Sequence, residues 1–175
     1  IYLFPESTAL GEHVVALKLD TGDTAWMLAA TGLVLLMTPG LGFFYGGMVG
    51  KKNVISTVLQ SFMAMVIVTV LWVVIGFGLC FGPSVGGFIG DPTQNLFFNG
   101  VNATTAWELA PTIPFILFAL FQAKFAIITP ALITGAFAER VRFWAYLLFM
   151  VLFILFIYAP LCHMTWHPDG LFFGW

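Results

Sequence analysis

The stretch VISTVLQSFMAMVIVTVLWVVIGFGLCFG, residues 54–82, carries no charged side chain. A helix needs about 20 apolar residues to cross the roughly 30 Å hydrocarbon core of a bilayer, so this stretch reads as a membrane span. Three more stretches of the same kind lie at 25–50, 109–138 and 143–164. Each is longer than a span needs, as tilted helices in a bundle are. Composition agrees: of 175 residues, 61% are hydrophobic and 8% charged, and the mean hydropathy is +1.01. A soluble domain of this length needs polar side chains to cover its surface, so lipid is the expected solvent. The six lysines and arginines are scattered in ones and twos. They form no patch able to neutralise a run of phosphates, and nucleic acid is not an expected partner.

The basic residues set the topology. Lys51 and Lys52 lie between the first two stretches, and Arg140 and Arg142 between the last two, so these two turns share a membrane face. The remaining connections, 1–24, 83–108 and 165–175, hold Lys18 as their one basic residue. Against it stand Glu6, Glu12, Asp20, Asp23, Asp91, Glu108 and Asp169. The positive-inside bias therefore puts the N-terminus outside, with Trp107 and Trp166 at the outer interface and Trp144 at the inner one. In the first span Gly42, Gly46 and Gly50 recur every four residues, with Gly40 and Gly47 nearby, and this spacing lets a neighbouring backbone approach closely. Pro39 lies mid-span, where its missing N–H predicts a kink. The 83–105 connection mixes Gly, Pro, Asn and Thr with two apolar patches and reads as an ordered cap. Ile1 is not followed by a basic n-region and a short apolar run, so a segment upstream is expected.

Few residues are candidates for chemistry. Phe121 and Phe125 are four apart and share one helix face, either as core or lipid contacts or as an aromatic constriction in a pore. Lys124 is an ionisable group inside a span; it is a functional candidate or a donor to carbonyls at a helix end. Glu108 is expected to open the same helix and favour its N-terminal dipole. His163 and His167 have the spacing of a helical metal pair, but Pro168 pushes His167 out of the helical region, so no metal is expected. No cofactor is expected either. Cys80 and Cys162 lack ligand spacing and read as small buried hydrophobes, with a disulfide as the alternative. No set of residues suggests an enzyme.

Five motifs in order then point to a family. Thr-Pro-Gly-Leu-Gly-Phe-Phe-Tyr-Gly-Gly-Met at 38–48 is followed by Phe-Gln-x-x-Phe-Ala from 121 and Thr-Pro-Ala-Leu-Ile-x-Gly-Ala from 129. Ala-Glu-Arg-x-Arg-Phe and Tyr-x-Pro-x-x-His-Met-x-Trp complete the series at 138–143 and 158–166. Over roughly residues 23–166 the chain resembles the ammonium transporter, methylammonium permease and Rhesus family, most closely its ammonium transporter branch. The resemblance implies an all-α polytopic membrane protein, here four transmembrane helices of an 11-helix fold built from inverted repeats. It implies a plasma-membrane homotrimer with a narrow pore in each subunit, in contact with lipid and in some members with a cytosolic regulatory protein. By motif position, Phe121 and Trp166 resemble the aromatics that recruit ammonium from outside, with Tyr158 close by. Phe125 resembles the outer phenylalanine of the pore gate. The family's pore acidic residue and paired pore histidines match no position in this sequence, and His163 is not one of them. His167-Pro168-Asp169 stands where glycines are usual, which alters the expected vestibule.

Physical magnitudes shape the mechanism the resemblance implies. Cation–π contacts of about 0.5–2 kcal/mol each would gather ammonium between Phe121 and Trp166. Moving a bare cation into a dry apolar passage costs on the order of 20 kcal/mol in the Born limit, which two rings cannot offset. Neutral ammonia is therefore the species expected beyond the gate, with the proton moving separately. The alternative is an ammonium sensor that keeps the external site and signals its occupancy to a partner or fused domain.

Overall fold

A computed structural model describes residues 13–173; Glu6, Glu12 and the end of the chain at Trp175 lie outside the described residues. Among the described residues four helices are long and apolar enough to cross a membrane: Thr21–Met48, Val54–Phe81, Phe115–Phe137 and Phe143–Trp166. Asp20 starts the first by accepting a hydrogen bond from the Asp23 amide at 2.8 Å, a side-chain cap that begins the helix four residues before the expected start at 25. The third helix starts at Phe115, not at 109. Pro111 and Pro114 exclude the preceding residues from helical backbone, and the segment before them is a strand. Glu108 consequently opens no helix; its amide donates to the His13 carbonyl at 2.9 Å.

The two short turns meet at one end of the bundle, as the basic residues require. There Glu139 Oε1 accepts from the Gly50 amide at 2.7 Å and from Asn53 Nδ2 at 3.0 Å, joining the first turn to the second. We call this the turn end. The opposite, cap end gathers the other three connections. β1 (Val14–Ala16) pairs antiparallel with β4 (Thr105–Trp107), and a small hairpin of β2 (Ser84–Val85) and β3 (Ile89–Gly90) lies between them in sequence. The expected ordered cap is thus a folded one. Its backbone sits directly on the second span: a Cβ at Gly82 would meet the carbonyls of Asp91 and Gly78, and one at Gly78 would stand 2.7 Å from Pro92 Cα.

Close helix approach follows the glycine spacing. A Cβ at Gly42 would meet Ser61 Cβ at 3.0 Å and one at Gly46 would meet Val58 Cγ2 at 2.9 Å, whereas Gly40 and Gly47 face open space. Gly135 of the third span likewise takes the Tyr45 ring, whose hydroxyl donates to the Leu132 carbonyl at 2.8 Å. That bond satisfies a carbonyl at the helix end, where otherwise nothing would reach it. The first helix runs unbroken through Pro39. Irregularity appears instead as π-helical turns at Trp72–Gly76 and Ile154–Tyr158, which widen the second and fourth spans. Trp72 sits in the first of them and donates from Nε1 to the Ala119 carbonyl at 3.1 Å, fixing the second span to the third.

Trp107 is not an interface residue. It is buried at the foot of the cap, stacked on Phe115 at 5.8 Å and on Phe118 at 5.7 Å, with Phe81 edge-on at 5.8 Å. Trp144 and Trp166 are 80% and 44% exposed, as belt residues are. Cys80 and Cys162 are buried, free thiols that face each other.

Candidate functional site

The third and fourth spans carry the aromatic candidates at their cap ends. One helical turn separates Phe121 from Phe125, and their rings meet edge-to-face at 5.0 Å. Trp166, the last helical residue of the fourth span, meets Phe125 edge-to-face at 6.2 Å. The three residues therefore form a continuous string across two helices, with Phe125 in its middle. A cavity of about 440 Å³ opens beside it, walled by Phe125, Thr129, Phe153, Tyr158, Cys162 and Trp166. Tyr158 lines this cavity about two helical turns, roughly 12 Å, along the helix from Trp166. Its ring also meets Trp72 edge-to-face at 6.5 Å, so the second span holds it in place.

Phe121 faces a different hollow, about 370 Å³, bounded by Asp23, Trp26, Leu109, Thr112, Phe118 and Gln122. Phe121 therefore lines this second hollow, while Phe125, Tyr158 and Trp166 line the first. Apolar walls interrupted by a few hydroxyls suit a small ligand that is weakly held. Lys124 is half-buried next to Phe125 and makes no hydrogen bond or ion pair with the described residues. The carbonyl contacts at a helix end that were its structural alternative are not made among the described residues.

A second cluster lies at the cap end. His163 is fully buried, donating from Nδ1 to the Cys80 carbonyl at 2.9 Å and accepting at Nε2 from the Ser84 hydroxyl at 2.9 Å. Both ring nitrogens are occupied, and the imidazole bolts the end of the second span to that of the fourth. The His167 ring stacks on it at 4.3 Å, and His13 meets His167 edge-on at 4.8 Å. His13 Nδ1 lies 2.6 Å from Glu108 Oε2, and its Nε2 lies 2.6 Å from Asp169 Oδ2. Burial opposes a charge on this ring, but the two hydrogen bonds outweigh it and raise its proton affinity above the ordinary histidine value. The bond from His13 in turn holds the Asp169 carboxyl below the usual range.

The sequence offers Glu108 as a helix-opening acid and Asp169 as part of an unusual vestibule segment, and gives His13 no role. The signal was present in the pairing of a histidine with acids across three connections, but nothing in the sequence sets those connections side by side.

Four long apolar helices, short turns at one end and a folded cap at the other define a multi-pass α-helical membrane protein. Residues 25–175 match the Ammonium Transporter Family, and the chain belongs to that family. It is 48% identical over 164 residues to an ammonium transporter of Mycobacterium tuberculosis (strain H37Rv), covering 86% of this chain and 34% of the relative. An ammonium transporter of Aquifex aeolicus is 42% identical over 153 residues, covering 85% of this chain and 35% of that protein. Among solved structures, Mep2 of Candida albicans superposes with a TM-score of 0.78 at 32% identity, over 88% of this chain and 33% of that one. A structure described as a sensor Amt protein gives 0.73 at 29% identity, over 84% and 36%. The chain spans about a third of the length of these relatives.

Proposed function

We propose that this chain forms part of an ammonium transporter of the plasma membrane, with its cap end outside. The observation that carries the reading is the Phe121–Phe125–Trp166 string of rings across the third and fourth spans, with a cavity lined by Phe125, Tyr158 and Trp166 beside it. Phe121 and Trp166 recruit ammonium by cation–π attraction, and Tyr158 lines the passage below them. Phe125 is the outer phenylalanine of the gate, past which only neutral ammonia travels. A proton left at the mouth moves separately, because the Born cost of the bare cation is out of reach of these rings. The pore histidines and the remaining helices belong to the rest of an 11-helix subunit, and three subunits make the transporter.

Ammonium-evoked current in proteoliposomes of the full-length protein tests this. A saturable, ammonium-selective current is expected. Phe125→Ala is expected to change it strongly with trimer assembly intact, and unchanged current would sink the gate assignment. Trp166→Leu removes one cation–π contact and should weaken half-saturation by roughly 2- to 30-fold.

The likeness to a sensor Amt protein supports a second reading, in which occupancy of the same aromatic mouth is reported to a cytosolic partner or fused domain. Ammonium binding without current, in a folded trimer, would decide for it.

A further inference from the structure

We propose that His13, His167 and Asp169 bind a divalent transition cation of the zinc class that staples the three connections of the cap end. One ligand atom from each of the three lies within 4.8 Å of the other two. Imidazole nitrogens with a carboxylate oxygen suit Zn²⁺ and its neighbours in the first transition row, with water completing the shell.

Two further observations point to a ligand here. His167 is fully buried; its Nδ1 accepts from the Asp169 amide at 3.1 Å, and its Nε2 has no partner among the described residues. A buried nitrogen left in this way costs free energy that a bound ion would return. Glu108 supplies the other. Its carboxylate holds Nδ1 of His13 at 2.6 Å, the outer partner that orients a metal-ligating imidazole and raises its basicity. Nε2 is then the nitrogen that faces Asp169.

The hydrogen bond between His13 Nε2 and Asp169 Oδ2 marks where the ion enters, since the cation replaces the proton they share. Ligands about 2 Å from a tetrahedral ion stand farther apart than this 2.6 Å pair. Asp169 has room to swing outward, its side chain being 49% exposed. Coordination at His167 Nε2 needs the tautomer protonated at Nδ1, so the Asp169 amide contact is given up. Two carboxylates balance the charge of the ion.

The pair considered from sequence, His163 with His167, is not this site: both nitrogens of His163 are engaged elsewhere. His13 comes from before the first span and His167 and Asp169 from after the fourth, so an ion here joins two segments directly, and Glu108, between the second and third spans, ties in the third through His13.

The test uses full-length protein without a polyhistidine tag, stripped with chelator and titrated with Zn²⁺ at neutral pH. Binding of one ion per chain with proton release is expected, together with a raised melting temperature and, with Co²⁺ in its place, the strong visible absorption of a tetrahedral centre. His167→Gln and Asp169→Asn should abolish both the absorption and the thermal shift, and Glu108→Gln should weaken binding by about tenfold. Folded wild-type protein that binds no Zn²⁺ stoichiometrically would overturn the proposal. So would binding unchanged in Asp169→Asn, which alone decides if His167→Gln fails to fold.

Discussion

The two ends of this bundle solve the same problem with opposite means. Each must join chain segments distant in sequence and satisfy backbone groups that helices leave unpaired. At the turn end an exposed carboxylate does much of this, with Glu139 accepting from Gly50 and Asn53 across 89 and 86 residues of sequence, beside the Tyr45–Leu132 bond and one buried bond, Thr134 to Tyr146. Glu139 itself adopts a left-handed φ of 65°, a strained choice for a side chain of this kind. At the cap end the joints are buried: His163 is sealed between the second and fourth spans, and glycines let backbone lie on backbone. A solvated joint is cheap to break because water replaces the lost partner, whereas a buried one leaves an unpaired group with no substitute. Stability should therefore be concentrated at the cap end.

The largest expected effect tests that directly. Gly170 turns back under the end of the fourth span, and a Cβ there would overlap the carbonyls of His163 and Met164. Gly170→Ala should cost about 3 kcal/mol, read as a lowered melting temperature of the full-length protein in detergent. An unshifted melting temperature would break the comparison. His163→Leu keeps the bulk of the ring but removes the side-chain donor to the Cys80 carbonyl and one bond of the Ser84 hydroxyl, and about 2 kcal/mol should be lost by the same measurement. Equal melting temperatures for His163→Leu and Glu139→Gln would show the two ends to be alike.

The smallest effect belongs to Glu139. Hydrogen bonds from Asn53 and the Gly50 amide hold its carboxyl below the ordinary value of 4.5. Its contribution is accordingly present above pH 4.5 and lost as the pH falls through the lower, folded value. Melting temperature followed from neutral to acidic pH should show a slightly shallower fall in Glu139→Gln than in the wild type, since that variant has no carboxylate to protonate.

Legibility in the sequence follows the same division. Periodic glycines predicted a close neighbour for the first span, and Gly42 and Gly46 do meet Ser61 and Val58 of the second. The shared face of the two basic turns was legible as well, since it depends on counting spans. Other features were hidden by their dependence on distant partners. Trp107 reads as an interface tryptophan until Phe115 and Phe118 are stacked on it, and the start of the third helix is displaced by a strand whose partner precedes the first span. Pro39 sits inside a helix that stays continuous, while the π-turns at Trp72–Gly76 and Ile154–Tyr158 were not foreseen, although Gly76 and Gly78 stand at the first and Pro160 just after the second.

At the candidate site, spacing placed Phe121 and Phe125 on one face, and nothing local could place Trp166 against Phe125. What the sequence determined by itself is the solvent, the number of apolar spans in this chain and the pairing of its connections by end. Hydrophobicity and charge act residue by residue and need no partner to be read. Only the tertiary structure decided which rings form a string and which histidines meet which acids. Those contacts join residues as much as 156 positions apart, and they exist only once the helices have packed.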